Sequence, residues 1–470
     1  MADRWLYAWA LGSVSFGGAS LLVPLYLVQL DASPVMLGVL ASTAALAGVP
    51  GAVLFGRLAD RRGHRRSLVL VTLAAVAVSL AVVPVLTDVV AVVVANAALW
   101  LFAGSISPVL TMLVVDDAPE ATWSERIGRL NKYQGYGWAG GLVLGTVWPL
   151  AVAGLVGSGA VTRSLFWLLA ACAGASTVVA ARTLPSPGAE ARRPSGRQAR
   201  RIARLLSRSR RGVRGATFAL SPNRLYWTLR DRNPLTLRRE LTPTLSAYLA
   251  AAFLFFTGFA AFWAPLPLFL TTAGFDPGQV FSLYLVSSLA SAVLYEGAGR
   301  VAARYDVRLL QSGALAVRAA AFAAVGLTTG LGAVSLAYGG AGLGFVAIGV
   351  TWAVVAVAGT AIVTRAAPPT VRGQVLGVHT ALSALAGGVG GVLGGWAATF
   401  GYGVAFAVAA VLVLLGAAVV LSLRTISRRE RPGEDASDRA GAAAAAQSGD
   451  GGVQSGDGGV QSGDGGVQSE

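Results

Sequence analysis

Residues 56–66 read GRLADRRGHRR, a short basic segment that joins two long apolar runs. Gly56 and Gly63 allow a tight turn between helices, and Asp60 places one anion among five arginines. Clusters of arginine beside apolar segments of membrane length mark the cytoplasmic loops of membrane proteins. The segment therefore predicts a cytoplasmic turn between two membrane-spanning helices.

The composition of the whole chain also indicates a membrane protein. Its 470 residues are 55% hydrophobic and 13% charged, and the mean hydropathy is +0.64. This is too little polar surface to coat a soluble globule, so a soluble enzyme is excluded. The single cysteine, Cys172, excludes an intrachain disulfide.

Twelve apolar runs are long enough to cross a hydrocarbon core of roughly 30 Å as helices. The first run is too long for the core of a signal peptide, so we interpret it as a retained span. Strands are disfavoured because the runs are continuously apolar rather than alternating. The runs lie near residues 5–29, 36–55, 67–86, 89–115, 130–153, 164–181, 245–270, 279–298, 309–329, 333–363, 375–399 and 402–423.

The polar segments divide the chain into four regions. We expect a six-helix bundle at residues 1–181, a basic cytoplasmic linker at 182–244, a second six-helix bundle at 245–423, and a disordered cytoplasmic tail at 424–470. The linker holds sixteen arginines and is either a solvated connection or a basic helix on anionic headgroups. The tail ends in repeats of SGDGGVQ, a composition typical of disorder.

The placement of the basic residues predicts the orientation in the membrane. Of the 37 Lys and Arg residues, 35 fall on alternate loops or on the terminal segments. The opposite loops hold Asp31, Asp88, Asp276 and one base, Arg163. Both termini are therefore expected in the cytoplasm of a multi-pass protein of the cell membrane. The net charge of +15 is then a topology signal, and nucleic acid is not expected as a partner.

The two halves of the chain repeat each other. The sequence GRLADR from Gly56 has a counterpart, GRVAAR, from Gly299, at an offset of 243 residues. A second set of matching positions, at an offset of 246 residues, comprises Arg126 with Arg372, Gly141 with Gly387, and Gly145 with Gly391. The two offsets nearly agree, which predicts two parallel structural repeats.

With these features the sequence resembles the Major Facilitator Superfamily over about residues 5–423. GRLADRRGHRR fits that family's loop signature of glycine, any residue, leucine, a small residue, aspartate, arginine, any residue, glycine and basic residues. The resemblance implies an all-α integral membrane fold of twelve transmembrane helices in two pseudo-symmetric six-helix bundles. It also implies secondary active transport by alternating access, with the substrate held between the bundles.

The resemblance further implies a cytoplasmic gate built on this loop. In the family the aspartate ties the two halves together, which for Asp60 implies contact with the start of the eleventh helix and with an arginine, here Arg126. Ala303 replaces the aspartate in the second half, and Glu296 is a candidate substitute. The alternative is an exposed turn whose charges only orient the helices. The expected gate residues are Gly56, Asp60, Arg61, Gly63, Arg126 and Arg372.

The fifth helix carries part of a glycine pattern found in the family's antiporters. The glycines that keep the spacing are Gly128, Gly137, Gly141 and Gly145. Leu142 stands where the antiporters have proline, so the match is partial. The pattern favours efflux, but glycines four residues apart also serve close helix packing. We expect packing roles for Gly137, Gly141, Gly145, Gly387 and Gly391.

In the family, the first, fourth, seventh and tenth helices line the central cavity. In this sequence they offer the candidates Ser13, Phe16, Asn96, Trp100, Phe256, Trp263 and Trp352. None of these is ionisable, and desolvating an unpaired ion is costly, so a neutral, amphipathic or aromatic substrate is favoured. Each aromatic residue alone has packing as its alternative role.

Three ionisable residues lie in or near the spans and are candidates for ion coupling: Glu296, Arg318 and His379. The unperturbed pKa of histidine, about 6.5, suits a proton-coupling group. The alternative role for His379 is a hydrogen bond in a helix interface. We expect Arg318 to extend toward the membrane surface or to pair with Glu296 rather than to hold substrate.

The leading hypothesis is secondary transport of a small molecule, with a preference for export of amphipathic or drug-like compounds and with the proton as candidate coupling ion. The only lysine, Lys132, follows asparagine, so the chain contains no ATP-binding loop motif. We expect no enzymatic activity, no cofactor and no bound metal, and a protein that acts as a monomer in the lipid bilayer. The alternatives are uptake of a neutral metabolite such as a sugar, and a non-transporting receptor or scaffold.

Overall fold

The computed structural model of the chain consists of helices joined by short turns. It describes residues 4–62, 65–116, 123–152, 154–155, 157–184, 242–328, 334–367 and 372–429. The helices of this part of the chain are α1 Trp5–Gln29, α2 Pro34–Arg62, α3 Arg65–Val82, α4 Val89–Asp116, α5 Trp123–Val152, α6 Ser158–Thr183, α7 Pro243–Trp263, α8 Leu266–Thr272, α9 Pro277–Arg304, α10 Val307–Thr328, α11 Val334–Ala366, α12 Arg372–Ala397 and α13 Tyr402–Arg429.

The helices account for the twelve predicted spans. The short α8 continues α7 after a two-residue break, and the two together form the seventh span. Eleven spans within the described residues are long and apolar enough to cross a membrane. The remaining helix, the glycine-rich α5, is 30 residues long. These helices confirm the prediction of an all-α, twelve-helix membrane fold. The physical reason is that a helix satisfies the hydrogen-bonding groups of its own backbone within a continuously apolar segment.

Many large apolar side chains lie on the outer surface of this helical body. Leu150, Val293 and Leu343 are each about three-quarters exposed. Apolar exposure on this scale marks a membrane or protein contact surface in a folded chain. In a protein with eleven or more spans it is the surface that the lipid covers.

Met1–Leu423 form one compact unit, and Arg424–Glu470 form a second. Within the first unit, the two halves connect through residues 182–244, most of which lie outside the described residues. The predicted limits of the two bundles and the linker therefore stay predictions. Of the tail, the structure describes only the end of α13, as far as Arg429.

The turns at one end of the bundles use residues with positive φ. Asp31 follows α1 at φ 54°, and Gly274 follows α8 at φ 90°. These two positions differ by 243 residues (274 − 31), which is the offset of the sequence repeat. Asp276 then begins α9 with a capping box, because its carboxylate accepts from the Gln279 backbone N–H at 2.9 Å.

A pair of arginines shows the same repeat at the opposite end of the bundles. Arg66 at the start of α3 donates to the carbonyl of Ala181 at the end of α6. Arg308 at the start of α10 donates to the carbonyl of Leu423, in α13, at 2.8 Å. Both partners are shifted by 242 residues, since 308 − 66 and 423 − 181 are equal. The halves therefore have equivalent helix packing, as the sequence repeat predicted.

The two halves meet along two helix pairs, α2 with α12 and α5 with α9. In the first pair, a Cβ added at Gly38 would lie 2.5 Å from the Gly391 carbonyl oxygen. Ser42 donates to the carbonyl of Gly388 at 2.6 Å across the same contact. In the second pair, the Phe281 ring fills the space above Gly145. Glycine thus lets the halves touch at backbone distance.

These contacts lie at the end of the bundles that carries few arginines. Gly38 and Ser42 are near the start of α2, whereas the arginine-rich loop follows the end of that helix. Phe281 is likewise near the start of α9, and Gly391 is near the end of α12. The halves are therefore closed against each other at the arginine-poor end.

We predict that Gly391→Leu lowers the melting temperature of the purified protein in detergent. The new side chain would overlap Ser42 and the Gly38 carbonyl, and overpacking of this kind costs about 1–3 kcal/mol. Gly313→Leu is the matched control, because nothing lies within 4 Å of a Cβ at that position in the middle of α10. Equal melting temperatures for the two variants would contradict the glycine contact between the halves.

Candidate functional site

A cluster of aromatic rings lies in the second half of the chain, where α7, α10, α11 and α12 approach each other. The Trp352 ring packs edge-on to Phe256 and Phe259, with centroid distances of 6.5 and 6.2 Å. Phe256 also packs edge-on to the His379 ring at 5.8 Å. Trp352 is only partly buried, whereas Phe256 and Phe259 are buried. These rings, which we call the aromatic wall, include two of the expected cavity residues.

Arg318 reaches this wall from α10. Its guanidinium carbon lies 4.2 Å from the centroid of Phe259 and 5.6 Å from that of Trp352, which is cation–π geometry. Nη1 donates to the carbonyl of Ile348 at 2.7 Å and to Oγ1 of Thr351 at 3.3 Å. Arg318 is 2% exposed, so it does not extend to the membrane surface as expected. A cation therefore contacts the aromatic wall, although the helices expected to line the cavity supply none.

A small pocket borders the same wall on the side of α12. Its lining includes Tyr248, Gln311, Trp352, Thr360 and His379. Nε2 of Gln311 donates to the Tyr248 hydroxyl at 3.1 Å. The rings of Tyr248 and His379 stack with an interplanar angle of 12°. Trp352 thus borders both the Arg318 guanidinium and this pocket.

The other expected cavity residues lie apart from the aromatic wall. Trp100 packs against Trp138 in the first half, at a centroid distance of 6.3 Å. Trp263 packs against Tyr284 at 4.9 Å near the arginine-poor end. The three remaining candidates, Ser13, Phe16 and Asn96, are all buried.

Ser13 and Phe16 both contribute to the packing of α1. The Ser13 hydroxyl donates to the carbonyl of Trp9 at 2.8 Å, and its Cβ lies against Gly137 of α5. The Phe16 ring is 5.9 Å from the Trp9 ring. Gly141 faces the same helix, so Gly137 and Gly141 pack α5 against α1, whereas Gly145 faces α9.

The predicted gate falls largely outside the described residues. Gly63 lies outside the described residues. Gly56, Asp60, Arg61 and Arg372 lie in described helices, but their burial and side-chain contacts are not described. Arg126 is partly buried in the first turn of α5. The role of Asp60 as a latch therefore stays a prediction.

Glu296, the candidate substitute for the latch aspartate, is exposed near the arginine-rich end of α9. The expected pairing with Arg318 is not present, since the Arg318 side chain points into the bundle instead. The reason is packing: α10 turns Arg318 toward the rings of α7 and α11. Within the described residues, no cluster of His, Cys, Asp and Glu is arranged to bind a metal ion.

The Major Facilitator Superfamily model matches residues 5–389 and, in a second overlapping match, residues 343–452. This chain belongs to the Major Facilitator Superfamily. The family and the fold together make it a multi-pass membrane protein of a transporter class. The comparison with curated proteins gives no match.

Solved structures of transporters have the same fold. A variant of the nucleoside transporter NupG aligns with a TM-score of 0.63 at 13% identity, over 89% of this chain and 97% of that chain. A bacterial homolog of the human lysosomal transporter Spinster, inward-facing and unoccupied, has a TM-score of 0.63 at 12% identity, over 92% and 98%. The human organic anion transporter MFSD10 has a TM-score of 0.53 at 18% identity, over 89% and 98%. At these identities the likeness establishes the fold alone.

Four members of this site were not among the residues expected from the sequence: Tyr248, Phe259, Gln311 and Thr360. One signal was available in the spacing. Gln311 and Arg318 are seven residues apart, so two polar side chains share one face of an otherwise apolar helix. In a membrane-spanning helix, such a face is expected to point into the protein rather than to lipid.

We predict that Trp352→Ala raises the substrate concentration needed for half-maximal transport while the protein remains folded. The indole is partly exposed at the centre of the wall, so its loss removes contact surface from a bound solute as well as from Phe256 and Phe259. Trp396→Ala is the control, because Trp396 is 55% exposed and packs against Phe400. The same half-saturation concentration in both variants would place the substrate elsewhere.

Proposed function

We propose that this protein exports amphipathic, aromatic compounds across the cell membrane by alternating access, with the proton as the coupling ion. The observation that carries the proposal is the aromatic wall, in which a partly exposed Trp352 borders a small, mainly apolar pocket with a few polar groups. Aromatic side chains with a few placed polar groups are typical of small-molecule sites. Transporters of this architecture bind substrate between their two repeats.

The orientation follows from the distribution of arginine. The positive-inside rule assigns the arginine-rich loops and both termini to the cytoplasm. The contacts of Gly38 with Gly391 and of Gly145 with Phe281 then lie on the outer side. In this arrangement the halves would be closed against each other on the outer side, and an exporter would collect its substrate from the cytoplasmic side.

His379 is the candidate proton carrier. It is buried, its ring stacks on Tyr248 and packs edge-on to Phe256, and it shares the pocket with Gln311 and Thr360. A proton on this imidazole would therefore change the charge directly beside the aromatic wall. Such a position links protonation to substrate binding without any further group.

Uptake of a neutral metabolite such as a sugar is the second candidate within transport. Its support is the uncharged polar groups of Tyr248, Gln311 and Thr360 in the pocket lining, since hydroxyl and amide groups suit sugar hydroxyls. A receptor or scaffold without transport is the alternative of another class. Transport by the purified protein separates all three.

The decisive experiment uses purified protein in liposomes, with and without an imposed proton gradient, and a mixed panel of aromatic amphiphiles and sugars. We expect accumulation of amphiphiles against their gradient only when protons move in the opposite direction. We predict that His379→Gln abolishes this gradient-driven accumulation but retains exchange of substrate for substrate, because the binding site remains. Sugar movement alone would support the uptake carrier, and no movement of any compound would support the receptor.

The gate has its own test, Asp60→Asn. The substitution removes the charge that the latch requires while it keeps the size of the side chain, so we expect reduced transport with normal membrane insertion. Asp88→Asn is the matched control, since Asp88 caps α4 in a turn at the opposite end through a 2.7 Å bond from the Ala91 backbone N–H. Near-normal flux in Asp60→Asn would contradict the latch and would favour the alternative, in which the charges of residues 56–66 only orient the helices in the membrane.

A further inference from the structure

We propose that Arg318 binds the acidic group of the transported solute, so that the substrate is an organic anion, a carboxylate with an aromatic body. The proposal rests on the proposed transport function, whose substrate class it narrows. It replaces the expectation of a neutral substrate, which followed from cavity-lining helices without ionisable residues. Arg318 enters the site from α10, a helix not counted among them.

The hydrogen bonds of Arg318 leave part of its guanidinium without an acceptor. A guanidinium carries five N–H groups. Nη1 donates to the Ile348 carbonyl and to Thr351 Oγ1. The buried Nε has no hydrogen-bond partner. A buried donor without an acceptor is costly, and two carboxylate oxygens match the forked geometry of the guanidinium.

No ion pair joins Arg318 to a carboxylate among the described side chains of the second half. In the described part of the second half, the acidic residues are Asp276, Glu296 and Asp306, and all three are exposed. Asp276 caps α9, and Asp306 accepts from the Arg308 backbone N–H in the turn before α10. None of them forms an ion pair with Arg318. A buried cation of this kind is expected to serve a ligand, because a buried charge without an ionic partner is costly.

The side chains around the guanidinium indicate which kind of anion would bind there. The Phe259, Phe322 and Trp352 rings lie within 4.2–5.6 Å of it, measured to their centroids. Tyr295, which is buried, belongs to a cluster against which Trp352 packs. An apolar rim around one cation suits a carboxylate attached to a ring better than a small hydrated ion.

The partly buried Trp352 side chain is the point at which a solute would approach Arg318. It borders both Arg318 and the pocket of Gln311 and His379. A solute whose ring displaces the indole therefore brings its carboxylate toward Nε of Arg318. The body of the solute then lies beside the pocket that contains Gln311 and His379.

The test is binding of 2-naphthoate and of its neutral isostere 2-naphthamide to the purified full-length protein in detergent, measured by isothermal titration. We expect the carboxylate to bind roughly tenfold or more tightly than the amide, because a hydrogen bond to a charged group contributes about 1.5–3 kcal/mol. Arg318→Gln should remove this preference, and Arg318→Lys should retain part of it. Arg163→Gln, an exposed arginine at the start of α6, should leave it unchanged.

Equal affinity for the two probes in the natural protein would overturn the proposal, and so would an unchanged preference in Arg318→Gln. Chloride that competes with 2-naphthoate as strongly as a second aromatic carboxylate does would also overturn it, since the site would then select a simple ion. If Arg318→Gln does not fold, the affinities of the natural protein and of Arg318→Lys for the two probes still test the proposal. The carboxylate should be preferred in the first and less strongly preferred in the second. Liposome transport of neutral aromatic compounds but not of carboxylates would refute this inference and leave the transport function standing.

Discussion

The movement of one half of the protein against the other depends on the glycine residues at which the two halves contact each other. Lipid gives helices no hydrophobic reason to associate, so the halves adhere only through close packing and hydrogen bonds. Gly38, Gly391 and Ser42 provide such a contact between α2 and α12, and Gly145 with Phe281 provides the second between α5 and α9. Contacts of this kind hold the halves together without burying them in a shared core, which permits one half to rock against the other.

The internal repeat gives the two halves corresponding helix contacts, but the side chains inside the two halves differ. Arg66 and Arg308 fasten corresponding helices in the two halves, so the frame is symmetric. The aromatic wall, Arg318 and His379 lie in the second half alone. The substrate chemistry and the coupling chemistry that we propose therefore depend on the second bundle, while the first carries the arginine-rich loop.

The number of helices, the repeat and the family could be predicted because hydropathy and the GRLADRRGHRR motif are local features of the sequence. The rotation of each helix could not, since it depends on distant partners. Ser13 faces Gly137 because α1 and α5 approach closely, and Arg318 points at Phe259 because α10 packs against the rest of the second bundle. Proximity of Gln311, Trp352 and His379 requires three helices to be placed correctly, which periodicity alone does not provide.

The central claim, alternating closure at the two ends, is tested most directly by distances between spin labels in liposomes, with Cys172→Ala as background. One label pair replaces Ser33 and Thr399 at the arginine-poor end, and the other replaces Ser67 and Arg304 at the arginine-rich end; each pair joins the two halves. On addition of substrate and a proton gradient, the first distance should lengthen while the second shortens. Distances that stay fixed, or that change in the same direction at both ends, would contradict the account.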